Sequence, residues 1–401
     1  MEVDFKAEAQ GWVADNLPSA LVGVDIGMYG PARSSSDEVK EAFELWRKRL
    51  ADKGWGAPTW PVEYGGAGLS DADAKVINRA IHKAGSINPI PYLAGMGVTM
   101  VGPTLLEYGT PEQCARHLPG MASGEVRWCL GLSEPNAGSD LASLAARAVR
   151  SEDGWVLNGQ KTWTSGADKS QWCGALVRTD PDAAKRNGIS FLMLPMDQPG
   201  IETRPISLIA GESPFCETFF NDARASGDDL LGELNNGWSV IKRLLQHERQ
   251  SQTNAPPTST KVEAIENLAK HYIGLGPDGS LADTDLRSRL ADHLMDAAAH
   301  ELTIGRIMAG AKSGNVEVSA TASILKNSAT DVAQDRSELL VEIMGSQGLG
   351  WEGDTFSAAE LHTVREWLGG KAMSIYGGTY EVQKNIIAKN ILGLPETTQK
   401  G

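Results

Sequence analysis

Residues 126–228 differ in pattern from the rest of the chain, and this contrast restricts the fold more than any other feature. Short apolar runs bounded by turn residues occur at 155–157, 173–178 and 189–194, and such runs are typical of β-strands. An Asp-Gly pair within 149–155 predicts a hairpin. We therefore expect a small antiparallel β domain over residues 126–228.

The N-terminal flank, residues 1–125, has helical periodicity instead. Residues 38–50 place apolar side chains on one helical face, and Ser36 stands before them at an N-cap position. A second helix is predicted from residue 71 to 84, with Ser70 as its cap. This flank is expected to form a helical domain.

The C-terminal flank, residues 229–401, is also helical in pattern. Long amphipathic stretches over 285–311 and 320–344 predict two long helices. A helix that begins at Gly237 is interrupted by Pro256-Pro257, because proline cannot continue a helix. The order helical, β, helical predicts an α+β protein of three domains.

Charge and composition exclude several classes of function. The net charge of −14 argues against binding to nucleic acid or to an anionic membrane. No apolar run reaches the roughly 20 residues that span a bilayer, and the N-terminus lacks the pattern of a signal peptide. The widely spaced cysteines predict free buried thiols, a cytoplasmic location and no metal site; they are Cys114, Cys129, Cys173 and Cys216.

Two turns rich in small residues offer the polar groups of the β domain that could bind a ligand. In residues 128–140 an apolar run ends in Leu-Ser-Glu-Pro-Asn-Ala-Gly-Ser-Asp, which exposes backbone N–H groups and hydroxyls. In residues 158–167 a turn leads into a short strand with a tryptophan and three hydroxyls. Such segments suit a flat, acceptor-rich ring or a phosphate, and each alone also fits an ordinary β-turn.

In this order and spacing the two turns resemble those of the acyl-CoA dehydrogenases, flavoenzymes that desaturate acyl-CoA thioesters. The resemblance extends to both ends of the chain and implies an N-terminal helical domain, a β-barrel-like middle domain and a C-terminal four-helix bundle. It also implies FAD as cofactor, an acyl-CoA substrate and an electron-transfer flavoprotein as acceptor. An oxidase that passes electrons to oxygen and a non-catalytic partner subunit are the alternative functions.

The same resemblance assigns roles to individual residues. Contacts with the flavin are implied for Leu132, Ser133, Gly138, Trp163, Ser165 and Thr379. Contacts with the substrate are implied for Ser139, Arg249, Tyr376 and Gly377. Without the family, a buried core position is an equally good interpretation of Trp163.

The catalytic base is predicted to be Glu248. Many members of the family carry it as a Glu after a Tyr near the C-terminus, but Gly377 occupies that position here. A second branch of the family places it on the first long C-terminal helix and follows it with Arg, which matches Glu248-Arg249. His247 is a chemical alternative about 100° around the helix. Glu381 is another, although we expect it to face solvent.

One half of the expected FAD site departs from the family pattern. An Arg-x-x-Phe-Gly motif, expected near 274–284, is absent, and Glu342 stands where the family has Gln. A carboxylate beside a pyrophosphate is repulsive. We therefore expect a tetramer, either α2β2 with a related subunit that supplies these groups, or a homotetramer with substitute contacts from Arg287 or Arg289.

The sequence resembles the base-bearing subunit of bacterial steroid side-chain members of the family. Two glycines, Gly95 and Gly97, fall in the segment 89–98, which is expected to be a helix. Their lack of side chains is one way to widen a pocket for a fused-ring or branched acyl group. The Pro256-Pro257 break is another way to reshape it.

Overall fold

The computed structural model describes residues 5–24, 26, 30–31, 35–254, 264–312 and 318–395. Within these ranges, the side chains at 249–254, 308, 311–312 and 318–320 are not described. The predicted break at Pro256-Pro257 therefore lies outside the described residues.

Along the chain, a group of helices precedes the strands and a second group follows them, as the sequence predicts. The helices before the sheet are α1 (Phe5–Asn16), α2 (Asp37–Asp52), α3 (Asp71–Lys83), α4 (Ile90–Leu93), α5 (Gly102–Tyr108) and α6 (Pro111–Ala122). The strands are β1 (Trp128–Gly131), β2 (Arg147–Ser151), β3 (Gly154–Ser165), β4 (Trp172–Arg178), β5 (Ile189–Pro195), β6 (Ile201–Pro205), β7 (Phe215–Ser226) and β8 (Leu230–Leu231). The helices after the sheet are α7 (Gly237–Asn254), α8 (Ile265–Tyr272), α9 (Thr284–Lys312), α10 (Val318–Met344), α11 (Ala358–Gly370) and α12 (Tyr380–Asn390).

The first helices begin where their caps predict. The Ser36 hydroxyl accepts a hydrogen bond from the Val39 amide at 3.3 Å, and Ser70 caps α3 in the same way. The apolar face of α2 is buried in a cluster with Trp55 and residues of α3. Capping and periodicity are local properties, so the sequence alone was sufficient to place these helices.

The sheet has the order β6-β7-β3-β2-β4-β5-β8, with β1 beside β4. The hairpin predicted at the Asp-Gly pair is confirmed, since β2 and β3 pair in antiparallel register. The expectation of a wholly antiparallel domain is wrong at β1 and at one residue pair of β2, since both strands pair with β4 in parallel. The β2–β3 hairpin lies between β1 and β4 in sequence, so no tight turn forces them to run in opposite directions.

The glycines at 95 and 97 serve close packing. The segment 89–98 is not one regular helix, because Gly95 has a φ of +62° between α4 and a π-helical turn at Gly97–Val101. A Cβ at Gly95 would lie 2.6 Å from the Trp128 carbonyl oxygen. Since the space beside Gly95 belongs to the backbone of β1, this glycine does not widen a pocket.

The described chain forms two compact units. The first contains Met1–Ile206 and Ser213–Thr260, and the second contains Ser207–Glu212 and Lys261–Gly401. Helix α7 belongs to the first unit, where it packs against α5 and β5. In the second unit α10 packs against α8, α9, α11 and α12, as expected for a helical bundle. No helix among the described residues is long and apolar enough to cross a bilayer.

A buried histidine between two tryptophans predicts a pH dependence of stability. The His117 ring lies 5.1 Å from the Trp128 ring and 4.5 Å from the Trp172 ring. Burial, together with the neighbouring Arg116, lowers the pKa of His117 from 6.5 to about 4. The unfolded chain therefore binds this proton first as the pH falls, so the stability present above about pH 6.5 declines toward pH 4, by about 3 kcal/mol.

Urea unfolding at several pH values measures this effect. The His117→Gln variant keeps a polar acceptor for the Arg116 guanidinium, whose Nε lies 3.1 Å from the His117 Nε2. We expect the variant to lose stability less steeply than the wild type between about pH 6.5 and pH 4. Equal slopes for the two proteins would contradict the assignment.

Candidate active site

The turn that follows β1 is fixed to β3 by backbone hydrogen bonds. The Ser133 carbonyl accepts from the Thr162 amide at 2.9 Å. The amides and carbonyls of Glu134 and Ala137 exchange two bonds of 3.0 Å, which close a tight turn. The two segments singled out in the sequence therefore lie side by side in the structure.

A fully buried lysine lies beneath this turn. The Lys161 Nζ atom donates to Glu134 Oε1 at 2.8 Å, to the Leu132 carbonyl at 3.1 Å and to the Leu176 carbonyl at 2.7 Å. Burial lowers the pKa of Lys161, and the adjacent Glu134 carboxylate opposes this shift. All three N–H donors of the ammonium group have an acceptor, as a buried charge requires.

The Glu134 carboxylate connects this lysine to the chain before β2. It accepts hydrogen bonds from the Ala145 and Ala146 amides, at 2.7 and 2.9 Å. Neither member of this ion pair was predicted from the sequence to have a role in the site. A signal was available for Lys161, because it falls on the inward-facing side of an alternating strand with Trp155 and Leu157.

Trp163 has an unusual backbone conformation and an exposed ring. Its φ is +60°, at a bulge where the register between β3 and β7 shifts, and 55% of its surface is exposed. The interpretation of Trp163 as a core residue is therefore wrong. Its indole contacts Phe215 edge-on, at 6.0 Å between ring centroids, and Ser165 lies opposite Phe215 in the register. A strained backbone that exposes an aromatic ring favours a ligand-binding role.

The end of the turn after β1 is open. Gly138 and Ser139 are exposed, and a Cβ at Gly138 would meet no atom within 4 Å. The neighbouring Asp140 accepts hydrogen bonds from Ser143 and Lys185. Among the described residues, no group of three or more His, Cys, Asp and Glu side chains is arranged to hold a metal ion.

The predicted base lies on the core side of α7. Glu248 is half-buried and follows the fully buried Leu244 by one helical turn. Leu245, three residues before Glu248, packs against the same core cluster as Leu132. Glu248 is therefore not a fully solvated side chain on the outer face of the helix. The side chain of Arg249 lies outside the described residues.

The rival base, His247, is engaged in a different cluster. Its Nε2 lies 3.2 Å from Glu107 Oε1, and Arg243 contacts both oxygens of the same carboxylate at 2.6 Å. The hydrogen bond from Arg243 lowers the pKa of Glu107, which keeps this carboxylate charged. His247 is held toward α5 by this arrangement.

The predicted residues near the C-terminus belong to the second unit. Gly377 and Gly378 have positive φ values of 64° and 89°, and they turn the chain into α12. Thr379 caps that helix by accepting from the Val382 amide at 3.2 Å. Gln383, which was not predicted from the sequence, donates to the Gly377 carbonyl at 2.7 Å.

The remaining side chains of this segment are exposed. Tyr376 is 53% exposed, and Glu381 is exposed in the first turn of α12, as predicted.

A further ion pair in the second unit involves the residue found in place of the family's glutamine. The Glu342 oxygens accept hydrogen bonds from the Arg289 guanidinium, each at 2.6 Å. Arg289, one of the proposed substitutes for the missing arginine, is thus bound in a bidentate pair with Glu342.

Comparison with known proteins shows the family of this chain. Family models for the N-terminal, middle and C-terminal domains of acyl-CoA dehydrogenases match residues 29–125, 129–223 and 235–392. The acyl-CoA dehydrogenase IpdE1 of Mycobacterium tuberculosis is 36% identical over 396 residues, which cover 98% of this chain and 97% of that protein. The chain belongs to the acyl-CoA dehydrogenase family. It is an oxidoreductase that acts on acyl-CoA, and the resemblance seen in the sequence is confirmed.

Solved structures confirm the three-domain fold of this acyl-CoA dehydrogenase. A structure described as the Tcur3481-Tcur3483 steroid ACAD matches with a TM-score of 0.74 and 30% identity, over 98% of this chain and 97% of that one. The ChsE4-ChsE5 complex from Mycobacterium tuberculosis matches with a TM-score of 0.72 and 26% identity, with the same coverage.

The family implies a flavin cofactor, and the residues around the turn fit a flat ring. Trp163 offers an exposed indole face, and Gly138 leaves open space beside the backbone. Half-buried Ser133 and Ser165 add hydroxyl groups nearby on the same pair of segments. This combination of an aromatic surface and hydrogen-bond donors suits an acceptor-rich heterocycle.

Replacing Trp163 by Gly separates binding from stability. Glycine relieves a left-handed conformation that costs roughly 1–2 kcal/mol. It also raises the conformational entropy of the unfolded chain, which favours unfolding by about as much. The free energy of unfolding is therefore expected to change by less than about 1 kcal/mol. Flavin affinity, measured by fluorescence titration, is expected to fall at least about tenfold because the stacking surface is lost.

A buried tryptophan on the same strand is the matched control. Trp155 is 4% exposed, and Trp155→Ala is expected to destabilise the protein by about 3–5 kcal/mol. A Trp163→Gly variant that unfolds as readily as Trp155→Ala would argue for a structural role of Trp163.

Proposed function

We propose that this acyl-CoA dehydrogenase catalyses the FAD-dependent α,β-dehydrogenation of an acyl-CoA thioester to a trans-2-enoyl-CoA, with Glu248 as the base. The observation that carries the proposal is the placement of Glu248 on the core side of α7, while His247 is paired with Glu107. Gly377, at the other family position for the base, has no side chain to act with.

The chain's own residues bind the cofactor, polarise the thioester carbonyl and remove a proton from the substrate. A half-buried carboxylate is a stronger base than a solvated one, because desolvation disfavours its charged form. Glu248 removes the proton from the carbon next to the thioester carbonyl, whose acidity depends on hydrogen-bond donors at the carbonyl oxygen. A bound FAD supplies the hydride acceptor for the neighbouring carbon. Ser133, Ser165 and Trp163 orient the ring, and Ser139 lies toward the CoA side.

The substrate we propose is an acyl-CoA with a bulky group, such as a steroid side chain. The basis is the likeness to the Tcur3481-Tcur3483 steroid ACAD, which is 30% identical over nearly the whole of both chains. The free buried thiols suit a reducing compartment, and the proposed location is the cytoplasm.

Anaerobic reduction of the bound flavin tests this function. The purified protein, with any subunit that co-purifies, is mixed with straight-chain, branched and steroid-side-chain acyl-CoA thioesters, and the flavin absorbance is followed. Bleaching by one class supports dehydrogenation of that class. Rapid reoxidation by oxygen, rather than by an electron-transfer flavoprotein, would favour an oxidase. A protein with no chromophore in any assembly would favour the non-catalytic subunit.

We also propose that the active assembly is an α2β2 tetramer with two FAD molecules. The supporting observation is the Arg289–Glu342 pair, since it occupies one of the two arginines that were expected to substitute for the missing motif. A related subunit would then supply the Arg and Gln that contact the pyrophosphate.

Native mass spectrometry and flavin quantification of the assembly isolated from its host test this proposal. Two kinds of chain and one FAD per two chains are expected. One kind of chain with one FAD each would exclude the hetero-assembly.

A further inference from the structure

We propose that Lys161 is a positioning residue for the cofactor site. Its ammonium group, neutralised by Glu134, binds the Leu132 carbonyl within the sheet and so orients the Ser133 amide outward as a hydrogen-bond donor. That the ligand bound by this amide is a flavin ring rests on the proposed function. The orientation of the amide itself rests only on the contacts of the buried lysine.

The geometry of the peptide bond connects the lysine to the amide. In a trans peptide the carbonyl and the following N–H point in opposite directions. Since the Leu132 carbonyl lies 3.1 Å from Lys161 Nζ, the Ser133 N–H is directed away from the lysine. The next carbonyl, of Ser133, accepts from the Thr162 amide at 2.9 Å. Two successive peptide planes of the turn are thus fixed by neighbouring residues of β3.

The pair also connects segments that are distant in sequence. Lys161 binds the Leu176 carbonyl of β4, and Glu134 binds the amides at 145 and 146 before β2. Hydrogen bonds are directional, whereas apolar contacts do not orient a carbonyl. A buried ion pair is often no more stabilising than an apolar pair of similar volume. Its use here is therefore better explained by orientation than by stability.

The same strand presents the exposed indole. The bulge between Lys161 and Thr164 lets Lys161 face inward while Trp163 faces outward, two residues later. A change at Lys161 is therefore expected to disturb the amide and the aromatic surface together.

The test uses the full chain with any co-purifying subunit, and a double variant that removes both charges, Lys161→Met with Glu134→Gln. The matched control is Arg116→Met with Asp229→Asn. That second ion pair joins Arg116 to the buried Asp229 at 2.6 Å, and its members do not belong to the turn or to β3. Thermal unfolding shows how much each double variant is destabilised.

Two readouts report on position rather than stability. The first is the FAD dissociation constant with the visible flavin spectrum, and the second is amide hydrogen exchange of residues 130–138 in flavin-free protein. The Lys161/Glu134 variant is expected to bind FAD at least about tenfold more weakly, with a shifted spectrum, and to exchange at least about tenfold faster in this segment. The control is expected to change neither.

Clear outcomes overturn the inference. Exchange and FAD affinity within about twofold of the wild type in the Lys161/Glu134 variant would show that the pair does not orient the turn. Equal changes in the control would show a general effect of lost stability. If the wild type binds no flavin in any assembly, the proposed function fails, and the exchange experiment alone then decides the role of Lys161.

Discussion

The Glu248→Gln variant is expected to bind acyl-CoA almost normally and to reduce its flavin about 10²–10⁴ times more slowly than the wild type, the usual contribution of a general base. Glutamine has nearly the same shape as glutamate but accepts no proton from the substrate carbon. The measurement is the rate of flavin bleaching after anaerobic mixing with the preferred acyl-CoA. The limb of the pH–rate profile that reports the base should disappear as well.

Two control variants separate Glu248 from its rivals. Glu381→Gln makes the same chemical change on an exposed turn of α12, and we expect the bleaching rate to change less than about threefold. His247→Gln removes the alternative base, which the structure pairs with Glu107 instead. A larger loss in His247→Gln than in Glu248→Gln would transfer the role of base to His247.

Local chemistry explains why so much of the fold was predictable. The caps Ser36 and Ser70 and the apolar face of α2 depend on residues within a few positions of one another. The long helices α9 and α10 follow from periodicity in the same way. The parallel pairing of β1 with β4 was not predictable, because a whole hairpin separates the two strands and no turn residue records their direction.

The candidate site was predictable only in part, for a related reason. The small residues and hydroxyls of the turns are visible in the sequence, so Ser133, Trp163 and Ser165 could be proposed as site residues. Lys161 and its partner Glu134 are 27 residues apart, and only the folded sheet shows that they meet. The pairing of Arg289 with Glu342, 53 residues apart, was hidden for the same reason.

Removing only the cation of the buried ion pair should destabilise the protein strongly, because it leaves an unpaired buried charge. Lys161→Met leaves the Glu134 carboxylate buried without its cation, and this is expected to cost about 3–5 kcal/mol of the free energy of unfolding. Urea unfolding at neutral pH measures the loss. Lys185→Met is the matched control, since Lys185 pairs with Asp140 on the surface and the same substitution should cost less than about 1 kcal/mol. Similar losses of the free energy of unfolding in Lys161→Met and Lys185→Met would contradict this expectation.

For the single variant Glu134→Gln, the direction in which the free energy of unfolding changes with pH can be predicted. It leaves Lys161 buried without a carboxylate, and burial alone lowers the pKa of this lysine. When the pKa is lower in the folded state than in the unfolded state, the unfolded chain takes up the proton at a higher pH. Protonation of the lysine therefore favours unfolding. The stability lost in Glu134→Gln is therefore expected to be large at about pH 7 and to shrink as the pH rises through the unfolded-state pKa of about 10.4, above which both states carry a neutral lysine. A deficit that stays constant over this range would mean that Lys161 keeps its charge with another partner, and that Glu134 acts mainly through the amides before β2.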